Sequence, residues 1–153
     1  MSLLTAFVLA AFLTPAIAGE LKAGDPVPAF AANDQFGKEY KFEPGPRFLL
    51  LGFDMGASKQ ANLSLAALGA GWLEKRQAVY VLDIHTMPAV ARFFALPKMR
   101  KYPQRIVLMS DEQALAVFPR TPGKITVMVL APDGKVREVR YWKPTEPLDG
   151  ILK

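Results

Sequence analysis

Short apolar runs alternate with stretches of helical spacing along most of the chain. The runs predict strands at residues 38–42, 48–53, 78–84, 105–109, 125–130 and 136–142. Apolar residues at helical spacing predict helices at residues 58–76, 87–101, 111–118 and 144–153. The last two strands flank A-P-D-G-K, which is typical of a tight hairpin turn. This order predicts an α/β sandwich with a mixed sheet and helices on both faces.

Residues that disfavour or cap a helix refine the helix boundaries. Gly69 and Gly71 weaken the middle of the first predicted helix, because glycine is a poor helix former. Pro97 breaks the pattern of the second predicted helix. Ser110 or Asp111 is placed to cap the third.

Residues 1–18 stand apart from this pattern. They carry no charged side chain, are mostly apolar and end in A-I-A, the small-residue pattern of a signal-peptide cleavage site. The run is shorter than the ~20 apolar residues that a membrane-spanning helix needs, and Pro15 interrupts it. We therefore expect an export signal cleaved after Ala18, which leaves residues 19–153 as a single domain. A retained anchor is the alternative, because the segment has no Lys or Arg at its start.

The absence of cysteine limits the chemistry more than any other feature of the composition. Disulfides persist in the oxidising spaces that exported proteins occupy, but this chain has none to form. Thiol-disulfide exchange and thiolate-based peroxide reduction are excluded, because the thiolate is the reacting species. No G-x-G-x-x-G sequence is present, so no nucleotide cofactor is predicted, and no cofactor of another kind is indicated. No serine has an acid and a base at matching spacing, which argues against a hydrolase.

The chain is basic, with 19 Lys and Arg against 14 Asp and Glu and a net charge of +5. The basic residues are scattered among acidic ones and are not interleaved with aromatic residues, so nucleic acid is not an expected partner. A solvated basic surface explains the excess of positive charge. The functional alternative is that this surface binds an anionic envelope polymer or a protein partner.

Three segments stand out: G-D-P-V-P-A-F near the start, F-L-L-L-G-F-D-M-G-A-S-K at a strand-turn-helix, and V-M-V-L-A-P-D-G-K-V at the closing hairpin. Together they resemble the thioredoxin-like fold in the form shared by peroxiredoxins and periplasmic thiol oxidoreductases. The resemblance runs from about Leu21 to the end of the chain and implies a three-layer sandwich. More narrowly, the turn A-S-K with Asn62, the sequence R-K-Y-P and a hairpin entered at I-T-V are similar to the YtfJ-type periplasmic proteins.

Both halves of a thioredoxin-type redox site are missing. The position of the C-x-x-C motif holds the residues Met55, Gly56, Ala57 and Ser58. The position of the cis-proline that would face it holds Ile125, and the T-P dipeptide falls earlier in the chain. The resemblance therefore implies the architecture of a redox site without its nucleophile.

The bend still has the physical character of a binding site. The first turn of a helix offers unpaired N–H groups and the positive end of a dipole. Together with the Lys59 ammonium, these groups favour a carboxylate or phosphate at Met55 to Lys59. In the implied fold, His85 and Arg120 are expected to lie at the same edge of the sheet. The simpler interpretation is that Ser58 only caps the helix.

His85 is the only histidine and follows a predicted strand, with Asp83 two residues before it. Such a pair has the composition of a base and its orienting acid, although alternate residues on a strand need not touch. A soft-metal site is a further alternative, because Met55, His85 and Met87 offer thioether and imidazole ligands suited to Cu(I). Methionines at apolar positions are more often part of the core, so no metal ligand is assigned.

These observations favour an exported, non-catalytic binding or scaffolding protein of the cell envelope. A copper carrier and a cysteine-independent oxidoreductase are the alternatives. The expected partner is an envelope protein or an anionic ligand.

Overall fold

The computed structural model describes residues 19–153, and the predicted signal segment at residues 1–18 lies outside the described residues. The strands of this part of the chain are β1 (Ala31–Asp34), β2 (Glu39–Lys41), β3 (Phe48–Gly52), β4 (Ala78–Asp83), β5 (Val107–Met109), β6 (Ile125–Leu130) and β7 (Val136–Trp142). Its helices are α1 (Met55–Leu68), α2 (Trp72–Lys75), α3 (Ala89–Met99) and α4 (Glu112–Ala116). Within residues 19–153, none of these helices has the length and apolar character needed to cross a membrane.

The seven strands of the described residues form one mixed sheet in the order β2-β1-β5-β4-β3-β6-β7. The central strands β3, β4 and β5 are parallel to one another. On one side, β1 runs antiparallel to both β5 and β2, and on the other, β6 runs antiparallel to both β3 and β7. Because parallel strands end at the same edge of a sheet, the bends after β3, β4 and β5 lie along one edge. The first residues of antiparallel β6 lie at this edge as well.

Side chains of the central strands alternate between two cores. Leu50 faces the side covered by α1, α2 and α3, where it belongs to the same cluster as Leu65. Leu49 and Leu51 face the opposite side, where they pack in the cluster that contains Leu115 of α4. All five residues of β3 are buried, as is typical of a strand covered on both faces. The predicted α/β sandwich with helices on both faces is confirmed.

The sequence pattern missed β1. Its residues, A-A-N-D, show no apolar alternation, and the strand exists because it pairs with both β2 and β5. The last residue of β1, Asp34, is buried, and its carboxylate accepts hydrogen bonds from the amides of Phe36 and Lys38 and from the Arg105 guanidinium. Burial raises the pKa of Asp34, but these hydrogen bonds outweigh it and hold the pKa below its usual value.

The first helix differs from its prediction at both ends. It begins at Met55 rather than at residue 58, and it ends at Leu68. Gly69 and Gly71 have φ angles of 88° and 78°, which residues with a side chain rarely adopt. The two glycines therefore separate α1 from α2 instead of only weakening one helix.

The predicted break at Pro97 is wrong, because α3 continues through it. The proline lies in the last turns of the helix, where its missing N–H removes a single hydrogen bond. The next turn closes normally, with the Arg100 amide 3.0 Å from the Leu96 carbonyl oxygen. Of the two candidate caps of α4, Asp111 is the one used, and its side chain accepts from the amides of Gln113 and Ala114.

The predicted helix at residues 144–153 is also wrong, because this segment forms only turns. Pro144 and Pro147 have no amide hydrogen to donate. The Glu146 carbonyl oxygen instead accepts a hydrogen bond from the Trp142 indole at 2.9 Å, which fastens the tail to the sheet.

Candidate functional site

Asp54 organises the bend between β3 and α1. Its Oδ1 accepts a hydrogen bond from the Ala57 amide at 2.7 Å, so Asp54 is the N-cap of α1. Its Oδ2 accepts a hydrogen bond from the Gly123 amide at 3.0 Å, which ties the bend to the segment before β6. The interpretation that Ser58 caps the helix is therefore wrong. An N-cap rule applied to the acidic residue that ends the apolar run would have found Asp54 in the sequence.

The four residues that the sequence predicted at the redox-motif position differ sharply in exposure. Met55 is 78% exposed, whereas Ser58 is only 6% exposed. Gly56 is exposed and Ala57 is buried. Met55 thus faces solvent, and Ser58 faces the core.

The Ser58 hydroxyl is one of two buried hydroxyl groups near Gly52 in the core. Within residues 19–153, neither it nor the Tyr80 hydroxyl has a partner in hydrogen-bonding geometry, although both are buried. Burial raises the pKa of Tyr80, so this phenol stays protonated. Gly52 leaves room for both groups, because a Cβ at this position would lie 2.5 Å from the Ser58 Oγ and 3.4 Å from the Tyr80 hydroxyl.

The segment before β6 meets the bend through Gly123 and not through Ile125. Ile125 is the first residue of β6 and is fully buried in the core on the α1 side of the sheet. No peptide bond among residues 19–153 is cis, including the bond before Pro122. Ile125 therefore presents no surface that a ligand at this bend could contact.

Asp83 and His85 are in contact at the end of β4. The His85 Nδ1 lies 2.7 Å from the Asp83 Oδ1, and the same oxygen accepts a hydrogen bond from the His85 amide at 2.9 Å. The Asp83 side chain is 3% exposed and that of His85 is 23% exposed. A buried carboxylate thus fixes the orientation of a partly exposed imidazole, an arrangement used both for general bases and for metal-ligating histidines.

The three soft-metal candidates lie in different surroundings. Met55 is exposed, His85 is held by Asp83, and Met87 is half-buried against the core beneath α3. Among residues 19–153, no group of three His, Asp or Glu residues is placed to hold a metal ion. The described residues therefore show a single oriented imidazole and no assembled ligand set.

The two candidate cations of this edge differ in their contacts. The Arg120 guanidinium lies 4.1 Å from the centroid of the Phe53 ring and donates a hydrogen bond to the Leu115 carbonyl oxygen at 3.2 Å. Lys59 is exposed and forms no ion pair within the described part of the chain. Arg120 is thus engaged in packing, whereas the Lys59 ammonium is available to a partner.

The sequence pattern gave no sign of the apolar residues on the outer face of α3. Val90, Phe93 and Phe94 are 70%, 73% and 65% exposed. The rings of Phe93 and Phe94 contact each other edge to face, with centroids 5.5 Å apart. Helical spacing alone did not separate them from core residues, because α3 is apolar on several sides.

The chain has the thioredoxin-like fold in its peroxiredoxin-type form. It is similar to the peroxidoxin BcpB of Mycobacterium tuberculosis, with 22% identity and a TM-score of 0.59 over 87% of this chain and 95% of that one. It is also similar to a thio-disulfide isomerase of Thermus thermophilus, with 20% identity and a TM-score of 0.55 over 86% and 93% of the two chains. A peroxiredoxin-like protein of Aquifex aeolicus has 13% identity and a TM-score of 0.57 over 89% and 86%.

At these identities the likeness defines the fold alone. Neither a family model nor a curated protein matches the chain. The predicted thioredoxin-like fold is confirmed, and the chain carries it without any cysteine.

Proposed function

We propose that this protein is a non-catalytic binding or scaffolding protein of the cell envelope, built on a thioredoxin-like frame. The observation that carries the proposal is the 78% exposure of Met55 at the position where the reactive cysteine of a redox motif would stand. The bend keeps its exposed first position and buried fourth position. A thioether there can make contacts but cannot exchange disulfides.

A protein partner suits this bend better than a small anion. The Asp54 carboxylate already accepts hydrogen bonds from the amides of Ala57 and Gly123. Its negative charge opposes the binding of a second anion at the N-terminus of α1. Met55 and Lys59 remain as an exposed apolar group and an exposed cation four residues apart on the same face of the helix. We infer that both contact an acidic surface of an envelope protein.

Placement in the envelope and among the YtfJ-type proteins belongs to the same proposal. The uncharged segment ending in A-I-A supports export, and the A-S-K turn with Asn62 supports the YtfJ-type likeness. Copper binding is the second candidate, because Asp83 orients the His85 imidazole as ligating histidines are oriented.

Replacing Lys59 with Glu is expected to weaken capture of the envelope partner about tenfold, because like charges facing each other at an interface oppose binding. The free energy of unfolding should change by no more than about 0.5 kcal/mol, since the residue is exposed. The measurement is pull-down from an envelope extract with quantification of the captured proteins, together with a thermal melt.

Lys135→Glu is the matched control, because Lys135 is exposed in the turn between β6 and β7, at the opposite edge of the sheet. The proposal requires that this control capture the partner normally. If Lys59→Glu and Lys135→Glu behave alike, the bend is not the contact surface. Copper retention through dialysis that His85→Ala abolishes would favour the metal carrier instead.

The proposed export signal leads to a separate prediction, which concerns the first residue of the cleaved chain. The protein recovered from the envelope fraction is expected to begin at Gly19, because cleavage follows the A-I-A sequence. N-terminal sequencing of that fraction provides the measurement. Recovery of the full-length chain from the cytosol would overturn the proposed compartment.

A further inference from the structure

A cleft of about 560 Å³ opens beside α3 over strands β1 and β5. Ala95, Leu96 and Met99 of α3 form one wall, and Leu108 of β5 lies across from them. The volume falls within the range of roughly 300–1,000 Å³ that is usual for small-molecule sites. In the described chain, none of residues 55–59 lines this cleft, so it is separate from the bend discussed above.

Two arginines line the cleft, Arg92 within α3 and Arg100 directly after its last residue. The Arg92 Nε and one of its terminal nitrogens donate to the carbonyl oxygens of Met87 and Ile84 at 2.9 and 2.8 Å. The Arg100 Nε donates to the Gln35 carbonyl oxygen at 2.9 Å. These bonds hold both guanidinium groups in place. They use two nitrogens of Arg92 and one of Arg100, so further N–H groups of each remain for a ligand.

Two of the three carboxylates that line the same cleft are paired with cations outside it, and the third is bonded only to backbone amides. Asp34 pairs with Arg105 at 2.9 Å, and Glu39 lies 3.5 Å from the Lys41 ammonium. Asp111 accepts hydrogen bonds from two backbone amides at the start of α4. The Asp111 carboxylate keeps its negative charge, because its partners are neutral amides. The two arginines outweigh it two to one, so the net unpaired charge of the cleft is positive, beside an apolar wall.

We infer that this cleft binds a small amphipathic anion, with a carboxylate or phosphate at the arginines and an apolar body against Leu96, Met99 and Leu108. The planar guanidinium groups match either head group through paired N–H donors. The site assigns the protein a small-molecule ligand in addition to the protein partner proposed for the bend.

The test is titration calorimetry of the purified protein with octanoate, octyl phosphate and octanol, which share a chain and differ in their head groups. Either anion is expected to bind in a saturable way and more tightly than octanol. Arg100→Gln should weaken that binding about tenfold, because a charge-assisted hydrogen bond is lost. Comparison of the two anions identifies the preferred head group.

Lys98→Gln is the matched control, since Lys98 is an exposed cation of α3 that does not line the cleft. A second variant, Ala95→Trp, leaves both arginines in place and should abolish binding by filling the cleft. The inference is overturned if neither anion binds, if octanol binds equally well, or if Arg100→Gln binds as tightly as Lys98→Gln.

Discussion

Replacing Met55 and Ser58 together with cysteine is expected to create a redox-active disulfide in a protein that has no cysteine of its own. The two residues lie three apart on the first turns of α1, and this separation on a helix meets the Cα–Cα range of about 4.4–6.8 Å that a disulfide needs. The exposure pattern is also suitable, because position 55 faces solvent and position 58 is buried. An outer thiolate could then react with substrates and be resolved by the inner thiol.

Thiol titration before and after treatment with oxidised glutathione provides the measurement, and reduction of insulin disulfides provides the activity. The double variant should lose both free thiols on oxidation and regain them with reductant. Met55→Cys alone is the control, since it has no resolving thiol. Two thiols that stay free in a folded, oxidised double variant would show that the bend no longer has redox-site geometry.

Gly52→Ala is expected to destabilise the fold by about 1–3 kcal/mol, which is the usual cost of overpacking a core. A Cβ at this position would lie 2.5 Å from the Ser58 Oγ and 3.3 Å from the Leu82 Cδ1. All these atoms belong to buried side chains, so they have little space into which to move. Urea denaturation measures the free energy of unfolding.

Ser58→Ala tests whether the clash with the Ser58 Oγ causes the destabilisation by Gly52→Ala. The buried Ser58 hydroxyl has no hydrogen-bond partner in the described part of the chain, so its removal alone should change stability little or increase it. In the Gly52→Ala background, the same change should restore at least 1 kcal/mol, roughly the size of coupling seen between residues in contact. Strict additivity of the two substitutions would mean that the glycine is required for another reason.

Rules that use only neighbouring residues correctly located the strands and turns that depend on short stretches of sequence. The apolar run that became β3 and the turn A-P-D-G-K between β6 and β7 were predicted correctly, because each depends on the side chains of its own segment. The rules failed where distant residues decide the outcome. β1 is a strand because β2 and β5 pair with it, and the tail forms turns that the Trp142 indole fastens to the sheet.

For the candidate site, too, the sequence predicted what local residues decide and missed what distant residues decide. The sequence placed Met55, Gly56, Ala57 and Ser58 at a strand-helix bend, but a linear pattern could not assign their exposure. The contact between Asp83 and His85 depends on the conformation of the chain as it leaves β4. The bond between Asp54 and Gly123 joins residues 69 positions apart, which no local spacing can reveal.

The sequence by itself determined that these 153 residues supply no thiolate, because composition is independent of folding and they contain no cysteine. It also determined the α/β sandwich, because apolar periodicity sets which faces must be buried. Only the tertiary structure decided that Asp54 caps α1, that Ser58 faces the core and Met55 faces solvent, and that Arg92 and Arg100 flank a cleft. These features depend on the packing of α1 and α3 against the sheet, which brings together residues that are far apart in the chain.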